Sequence, residues 1–378
     1  MSQFRDTGWE DDNLVIFDTS VDKTVSVGCR EYPSTGVGIS VVVPCRDEKD
    51  TIRSCLGSIL AQEEPEGGFE VIVVDGQSTD GTAEILAEMS AKEPRLRIVN
   101  NPAKTTPSAF NLGIRQARGA FVALMGAHNS YAPDYLRQCL SVARETGADN
   151  VGGSMIARGD TPLQRAIALA HHSSFACGGA RWHNPDYNGE VDTVFGGFYR
   201  REALFRLGLF DETLLRNQDD EFNLRLTRSG GRIWHSPRIR SWYQPRSDLQ
   251  SLFRQYLQYG YWKVRVIRKH RLPGSWRHLV PGCFVLALFV LPILGIYFEP
   301  LLWLWSTVVA LYAAALLSAS LRLAQRHGWE YLPFLPSVVA AYHVGYGTGF
   351  LYGVFECALR RAPAKRLSVL TRTAKAQH

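Results

Sequence analysis

The stretch "ISVVVPCRDEKDTIRSCLGSILAQ" (residues 39–62) decides the fold because it joins two different hydrophobic patterns. Its first five residues form a short apolar run rich in β-branched side chains, which is typical of a strand buried on both faces. Behind Asp50, a candidate N-cap, apolar residues recur at helical spacing at Ile52, Cys55, Leu56, Ile59 and Leu60. A buried strand followed by an amphipathic helix predicts one unit of an α/β fold.

The strand–helix unit repeats after this stretch. The predicted elements are a strand at 69–74, a helix near 82–91, a strand at 96–99, a helix at 106–117 and a strand at 120–125. In the second of these helices Thr106 is the expected N-cap and Pro107 the first helical residue. Strands that alternate with helices predict right-handed crossovers and a mostly parallel sheet with helices on both faces.

The ends of the predicted strands locate a binding site. In open α/β sheets, ligands bind beyond the carboxyl ends of the strands. Val43, Val74 and Met125 mark those ends. We therefore expect the segments Pro44–Glu48, Asp75–Asp80 and Gly126–His128 to share one rim of the sheet.

The composition changes after Tyr243. "LVPGCFVLALFVLPILGIYF" (279–298) and "PLLWLWSTVVALYAAALLSAS" (300–320) contain no charged residue. Each run is long enough to cross a hydrocarbon core of roughly 30 Å, although a buried core helix is the alternative. A third apolar stretch, 332–355, is interrupted by prolines and glycines, and we expect it to span, to re-enter or to lie flat.

Charge and cysteine content narrow the function classes. The 42 Lys and Arg residues exceed the 36 Asp and Glu residues only slightly, so composition does not indicate nucleic-acid binding. Seven scattered cysteines form no CxxC pair and no zinc spacing, which favours reduced thiols in a domain that faces the cytosol. The polar, acidic start shows no secretory signal.

Basic residues precede the first apolar run, at 254–271, and Arg322 and Arg326 follow the second. The positive-inside rule then places both of these basic segments, and with them the α/β domain, in the cytoplasm. A third full crossing would put the basic tail outside, against that rule. A re-entrant or interfacial third segment removes the conflict and re-entry is favoured, with a tail that breaks the rule as the alternative. The predicted domains are an irregular lead-in (1–37), the α/β domain (38–247), a basic amphipathic interfacial region (248–278), a transmembrane region (279–358) and a basic tail (359–378).

Two motifs carry a family resemblance. "VVVPCRDEKDTI" followed by "VIVVDGQSTDGTAEIL" resembles the family 2 glycosyltransferases, which have the GT-A fold and use nucleotide-sugars. The resemblance extends from about residue 39 to 243 and is greatest to the membrane-associated succinoglycan-biosynthesis type. It implies that Asp75 accepts hydrogen bonds from the base or ribose, while Asp80 reaches the ribose or orders its turn. The other implied nucleotide-sugar contacts are Pro44, Arg46, Glu48, Lys104, Asn111 and Ala127.

The resemblance leaves the metal question open. The fourth strand of the family usually ends in Asp-x-Asp, or in Asp-Ala-His in the succinoglycan type, and holds Mg²⁺ or Mn²⁺ against the diphosphate. Here the motif reads Gly126-Ala127-His128. His128 can ligate Mn²⁺, whereas Mg²⁺ prefers oxygen. His235 is a second candidate near the diphosphate or metal, with a purely structural histidine as the alternative.

The second half of the domain supplies the implied catalytic and acceptor residues. In "NQDDEFNLR" (217–225), Asp219 falls at the general base, with Asp220 as the shifted register, Glu221 as the third acid, and a helix cap as the alternative for all of them. The implied acceptor-side residues are Asp192, Gly196, Gly197, Gln258 and Trp262. In polymerising relatives, Gln258 and Trp262 correspond to the first and last residues of a Gln-x-x-Arg-Trp motif. Here Tyr261 replaces the arginine of that motif.

The function implied is an inverting transfer of one sugar from a UDP- or GDP-sugar to a lipid-linked saccharide, in polysaccharide biosynthesis. The enzyme would be a multi-pass protein of the bacterial inner membrane with its catalytic domain in the cytoplasm, and it could have partners in an assembly complex. One alternative is direct transfer to polyprenyl phosphate. Another is a catalytically weak scaffold, because Gly126 replaces a carboxylate.

Overall fold

A computed structural model describes residues 37–153, 155–359, 363 and 367 of the chain. The predicted lead-in, apart from Val37, lies outside the described residues, as does most of the predicted basic tail.

The α/β domain is built on a large sheet and a small one. The large sheet has eight strands in the order β3-β2-β1-β4-β9-β6-β10-β8, and the small sheet has the order β5-β11-β7. In the described residues the strands are β1 Ile39–Cys45, β2 Phe69–Asp75, β3 Leu96–Asn100, β4 Phe121–Leu124, β5 Asn129–Tyr131, β6 Asn150–Gly152, β7 Met155–Ala157, β8 Gly189–Glu190, β9 Phe198–Arg200, β10 Ile233–His235 and β11 Ser241–Tyr243.

The helices follow the same chain order. In the described residues they are α1 Ile52–Leu60, α2 Thr82–Lys92, α3 Thr106–Gln116, α4 Tyr135–Thr146, α5 Pro162–His171, α6 Arg201–Arg206, α7 Gln218–Arg228, α8 Leu249–His270, α9 Val280–Gly295, α10 Pro300–His327 and α11 Leu335–Ala358. Short 3₁₀ turns lie at Arg181–His183, Trp276–His278 and Trp329–Tyr331.

The first four strands pair in parallel, as the sequence predicted, and β6 and β10 form a further parallel pair. β1 pairs in parallel with β2 and β4, and β2 pairs in parallel with β3. The register places Cys45 opposite Asp75 and Val42 opposite Leu124, so the carboxyl ends of these strands do meet at one rim. β9 then runs antiparallel to both β4 and β6, which makes the sheet mostly parallel rather than wholly so.

Alternating side chains bury both faces of this sheet. Val41 and Val43 of β1 join a core with α1, α2 and α4, whereas Val42 joins a second core with α3, α6 and α7. A strand with period-two side chains that is apolar at every position needs helices on both faces. The fold class predicted from the sequence is therefore confirmed.

Two predicted helix starts are wrong by one residue. α1 has Thr51 rather than Asp50 at its N-cap, and the Thr51 hydroxyl donates to Glu48 Oε2 over 2.8 Å. α3 has Thr105 at its N-cap, so Pro107 is the second helical residue. Proline is tolerated there because amide groups of the first turn have no partner within the helix.

The predicted spans correspond to two helical segments, Trp276–Gly295, which joins the 3₁₀ turn to α9, and α10. Both segments are long and apolar enough to cross a membrane. They expose large apolar side chains along their length, among them Phe289, Ile293, Trp303 and Leu311. Exposed apolar surface on this scale indicates that this part of the chain is associated with a membrane.

Most of the third apolar stretch lies in α11, which continues through its glycines without interruption. A Cβ added at Gly345, Gly349 or Gly353 of α11 would lie 2.9, 1.9 or 2.8 Å from a backbone oxygen of α8; the oxygens belong to Phe253, Leu257 and Tyr261. Glycines spaced by four residues let two helix backbones approach closely. Whether α11 spans a membrane stays a prediction.

We expect Gly349→Ala to destabilise the helical region, because the new methyl group would meet a backbone oxygen that no rotamer change can move. Overpacking of this kind costs about 1–3 kcal/mol. Thermal unfolding in detergent measures the effect. Gly57→Ala in α1 is the control, since no heavy atom lies within 4 Å of its added Cβ. An unchanged midpoint for Gly349→Ala would refute the close helix contact.

Candidate active site

Asp75 ends β2 at the rim of the sheet. Its carboxylate accepts hydrogen bonds from the Ser78 amide, at 3.2 and 3.3 Å, and from the Ser78 hydroxyl at 2.5 Å. The same hydroxyl accepts a hydrogen bond from the Asp47 amide at 2.9 Å. The loops after β1 and β2 are thus tied together, with the half-buried Asp75 between them.

Asp80 orders the turn before α2. Its Oδ1 accepts from the Thr82 amide and hydroxyl, and its Oδ2 accepts from the Lys49 amide at 3.1 Å. Burial alone would raise the pKa of Asp80, but these hydrogen bonds lower it overall. Of the two roles left open for Asp80, its contacts favour the ordering of the turn.

Three other predicted donor-side residues lie at or near the rim. Pro44 and Arg46 follow the buried part of β1, and the Arg46 side chain packs against Gly76, where an added Cβ would lie 3.2 Å from it. Lys104 is exposed in the loop before α3. A long, flexible side chain in that position can reach an anion as a point charge.

Two predicted donor-side residues are buried instead. The Asn111 amide donates to the Phe210 carbonyl and the Glu212 carboxylate, and its oxygen accepts from the Phe210 amide at 3.0 Å. Both N–H donors are therefore used to hold α3 against the chain after α6, which corrects the prediction of a donor-pocket contact. The Ala127 side chain lies in the core beneath the rim, so only its backbone could face a ligand.

His128 and Glu48 form a pair at the rim. His128 Nδ1 lies 3.0 Å from Glu48 Oε1, and both side chains are partly exposed. A carboxylate at this distance favours the tautomer that is protonated on Nδ1, in which Nε2 carries the lone pair that metal ions bind. The donor set therefore fits a Mn²⁺ ion that takes most of its oxygen ligands from a bound diphosphate.

The residues around Gly126 leave little room for the missing carboxylate. A Cβ added at Gly126 would lie 2.6 Å from Asn129 Nδ2. Asn129 is itself buried, and the Gly126 amide donates to the Tyr131 hydroxyl over 2.7 Å. The strand end is thus packed around a residue that has no side chain.

The acidic trio begins α7, but its members differ in their surroundings. Glu221 is fully buried, and Arg225, Lys269 and His270 place nitrogen atoms within 3.0 Å of its carboxylate. A carboxylate enclosed by these groups cannot reach a substrate. The expectation of a catalytic Glu221 is therefore corrected to a structural ion-pair role.

Asp219 and Asp220 face a cavity. Lys263 of α8 lies 2.5 Å from Asp220, and its charge lowers the pKa of Asp220 against the effect of burial. Burial and the charge of Asp220 raise the pKa of Asp219 to about 6. The different surroundings of the two acids therefore move their pKa values apart. Asp219 is the one suited to exchange a proton near neutral pH.

The cavity has a volume of about 870 Å³ and a mixed lining. Asp219, Asp220 and Asp192 contribute carboxylates to it, and Asp192 forms an ion pair with Arg277. Pro281 and Phe284 of α9, Tyr312 of α10 and Tyr346 of α11 contribute apolar and aromatic surface. The acids of α7 and the apolar helices therefore border one cavity.

The two residues predicted on α8 point away from this cavity. Gln258 and Trp262 are buried, and Trp262 Nε1 donates to the carbonyl of Leu367 at 3.1 Å. The cavity face of α8 carries Leu252, Tyr256, Tyr259, Lys263 and Val266. Gln258 and Trp262 each precede a member of this face by one residue, which is about 100° of helix rotation. The family motif thus gave the right helix and the wrong face.

Gly196 and Gly197 approach backbone rather than sugar. Both have left-handed backbone angles, with φ of 70° and 87°. The Gly197 carbonyl accepts from the Leu124 amide at 3.0 Å, and a Cβ at Gly196 would lie 2.8 Å from the Leu124 oxygen. These glycines therefore set the chain against the end of β4, next to Gly126.

His235 lies within the large sheet on β10. Its imidazole is buried, with Nδ1 2.7 Å from the carbonyl of Tyr187, and burial lowers its pKa. Of its two possible roles, these surroundings favour the structural one over a metal ligand. Lys263, Tyr256 and Arg277 are cavity residues that the sequence reasoning missed. Helical spacing on α8 was the available signal for the first two.

Comparison with known proteins agrees with this architecture. Residues 40–208 match the family described as "Glycosyl transferase family 2". The chain is 28% identical over 319 residues to the succinoglycan biosynthesis protein ExoA of Rhizobium meliloti, covering 84% of this chain and 94% of that protein. It is 27% identical over 326 residues (84% and 97%) to a dolichyl N-acetyl-alpha-D-glucosaminyl phosphate 3-beta-D-2,3-diacetamido-2,3-dideoxy-beta-D-glucuronosyltransferase of Methanococcus voltae.

A solved structure shares the fold. It is the mannosyltransferase PcManGT from Pyrobaculum calidifontis in complex with GDP-Man and Mn²⁺. The match has a TM-score of 0.52 and 20% identity, and it covers 82% of this chain and 86% of that one. The family resemblance seen in the motifs and the GT-A fold are both confirmed.

We expect Gly126→Asp alone to lower the thermal midpoint, because its side chain collides with the buried Asn129. The double variant Gly126→Asp/Asn129→Ala should recover the midpoint and bind Mn²⁺ more tightly than the natural protein when UDP or GDP is present. Thermal unfolding and Mn²⁺ titration measure the two effects, and Asn129→Ala alone is the control. A single variant as stable as the natural protein would show that the space is already sufficient.

Proposed function

We propose that this chain, whose residues 40–208 match the family 2 glycosyltransferases, transfers one sugar from a UDP- or GDP-sugar to a lipid-linked saccharide at a membrane. The proposal includes inversion at the anomeric carbon, through a single displacement. Names of the relatives support the acceptor class, since one acts in succinoglycan biosynthesis and another on a dolichyl-linked sugar phosphate.

The donor would bind at the rim formed by β1, β2 and β4. Asp75 offers a carboxylate for the base or ribose, and Arg46 and Lys104 are cations in the loops that follow β1 and β3. His128, oriented by Glu48, would hold a divalent ion, with Mn²⁺ preferred. When bound, such an ion neutralises charge on the diphosphate as the bond to the sugar breaks.

The observation that carries the acceptor proposal is the cavity between α7 and the apolar helices. Asp219 lines it together with side chains of α9 and α10, which belong to the two segments that are long and apolar enough to cross a membrane. A saccharide carried on a lipid matches this mixed lining, because its sugar is polar and its carrier is apolar.

Asp219 is proposed as the general base. The acceptor hydroxyl oxygen would form a bond to the anomeric carbon while its proton moves to Asp219 and the nucleoside diphosphate departs. A base with a pKa near 6 is deprotonated at neutral pH and still basic enough to take a proton in the transition state. Asp220, which is itself paired with Lys263, would keep the pKa of Asp219 in this range.

The proposed location is the bacterial inner membrane, as a multi-pass protein with the catalytic domain on the cytoplasmic side. The basic last turns of α8 and α10 support this orientation under the positive-inside rule.

Release of UDP or GDP in detergent tests the function. The assay compares a polyprenyl-diphosphate-linked saccharide, polyprenyl phosphate and no acceptor, each with a panel of nucleotide-sugars. We expect release only with the first acceptor. Release with polyprenyl phosphate alone would instead establish direct transfer to the lipid, and release with neither would support the scaffold reading.

We expect Asp219→Asn to lower turnover by on the order of 10²–10⁴-fold while leaving nucleotide binding intact. In the natural enzyme, kcat/KM should fall as pH drops through about 6, because the deprotonated form of Asp219 is the active one. Asp220→Asn should move this limb to lower pH, since it removes the negative charge that raises the pKa of Asp219. Loss of turnover in Asp220→Asn but not in Asp219→Asn would reverse the assignment.

We expect Phe284→Ala to raise KM for the lipid-linked acceptor about 2- to 10-fold without changing KM for the donor. Phe284 lines the cavity and packs on Tyr312 at a ring distance of 4.4 Å. Phe289→Ala is the matched control, because Phe289 lies on the same helix and is 64% exposed. Equal effects of the two variants would count against an acceptor path through the cavity.

A further inference from the structure

A long irregular loop forms one wall of the cavity. Between α5 and β8, residues 172–188 contain turns and one 3₁₀ turn but no strand or α-helix. Nevertheless the loop buries Ala176 and Ala180. Loops of this length without regular structure are uncommon in compact domains, and they are usually functional.

Three metal-binding side chains meet where this loop joins α5. They are His171 from the last turn of the helix, Cys177 from the loop and His183 from the 3₁₀ turn. One ligand atom from each lies within 4.8 Å of the others. All three residues line the cavity.

The two imidazoles have nitrogen atoms whose hydrogen-bonding capacity is unused. Among the described residues, His171 Nε2 and His183 Nδ1 are buried and have no hydrogen-bond partner. The His171 residue is only 9% exposed. A buried polar atom without a partner costs free energy. Both of these atoms belong to residues that cluster with Cys177, whose thiol donates to the His171 carbonyl at 3.2 Å. A ligand shared by the three side chains would use their remaining capacity.

We propose that His171, Cys177 and His183 hold a thiophilic divalent cation of the Zn²⁺ class. Zinc–nitrogen bonds of about 2.0–2.1 Å and zinc–sulfur bonds of about 2.3 Å place tetrahedral ligand atoms about 3.3–3.7 Å apart. The ligand atoms, which lie up to 4.8 Å apart, reach that spacing by small side-chain movements. A thiolate with two imidazoles selects zinc or cobalt over magnesium or calcium.

The ligand forms are a neutral imidazole and a thiolate. Binding therefore forms the metal–sulfur bond and releases the thiol proton to water in the cavity.

The site is separate from the donor rim, where His128 lies. Three protein ligands leave a fourth tetrahedral position for water or for an oxygen atom of a molecule in the cavity. The ion would also fix the loop against α5, since its ligands come from both. The spacing His-x₅-Cys-x₅-His contains no Cys pair, which is why a search for zinc spacings among the cysteines did not find it.

Metal analysis of the full-length protein in detergent tests the site, with neither donor nor acceptor present, so its outcome is independent of the proposed transfer reaction. We expect about one zinc per chain after purification without chelator. His171→Ala, His183→Ala and Cys177→Ser should each lose it. His327→Ala and Cys283→Ser are the controls, because His327 and Cys283 are exposed.

Cobalt substitution gives a second readout that does not require the variants to fold. Co²⁺ added to chelator-treated natural protein should produce a thiolate charge-transfer band and tetrahedral d–d absorption, and Zn²⁺ should abolish both. Absence of the thiolate band, or its loss in Cys283→Ser with retention in Cys177→Ser, would overturn the proposal. So would zinc content far below one per chain together with no Co²⁺ spectrum.

Discussion

The geometry of this enzyme depends on the ion pairs of the buried Glu221 carboxylate. A carboxylate inside a protein is tolerated only when opposite charges surround it, and here Arg225 comes from its own helix while Lys269 and His270 come from α8. α8 must therefore lie against α7. Because α11 packs along α8 through its glycines, the same ion pairs fix the catalytic domain relative to the apolar helices.

This arrangement explains why the acids of one short sequence have separate functions. Glu221 faces α8 and is enclosed, Asp220 is bound by Lys263, and Asp219 remains at the cavity wall with a raised pKa. Successive positions at the start of a helix point in different directions, so neighbouring acids meet different surroundings. The rim of the sheet is arranged differently. There the Glu48–His128 pair lies beside the end of β4, where a side chain added at Gly126 would collide with Asn129.

The sequence was sufficient for the parts of the structure that depend on local pattern. The period of the apolar residues predicted β1 to β4, α1 to α3 and the two spans, and parallel topology placed Asp75 and His128 at one rim. It failed where a side chain has a partner far along the chain. Asn111 binds Phe210, Trp262 binds Leu367, and the glycines of α11 face α8, and none of these contacts leaves a local signal. The His171–Cys177–His183 cluster was missed for a different reason, since its spacing matches no familiar zinc pattern.

The walls of the cavity also impose an order on biosynthesis. Its lining begins at Met155 and is completed by residues of α11 as far as Tyr346. The sheet and the acids of α7 leave the ribosome well before α11. The side chains that enclose Asp219 are therefore complete only after the apolar helices have been synthesised, and a chain that stops before α11 lacks part of the cavity wall.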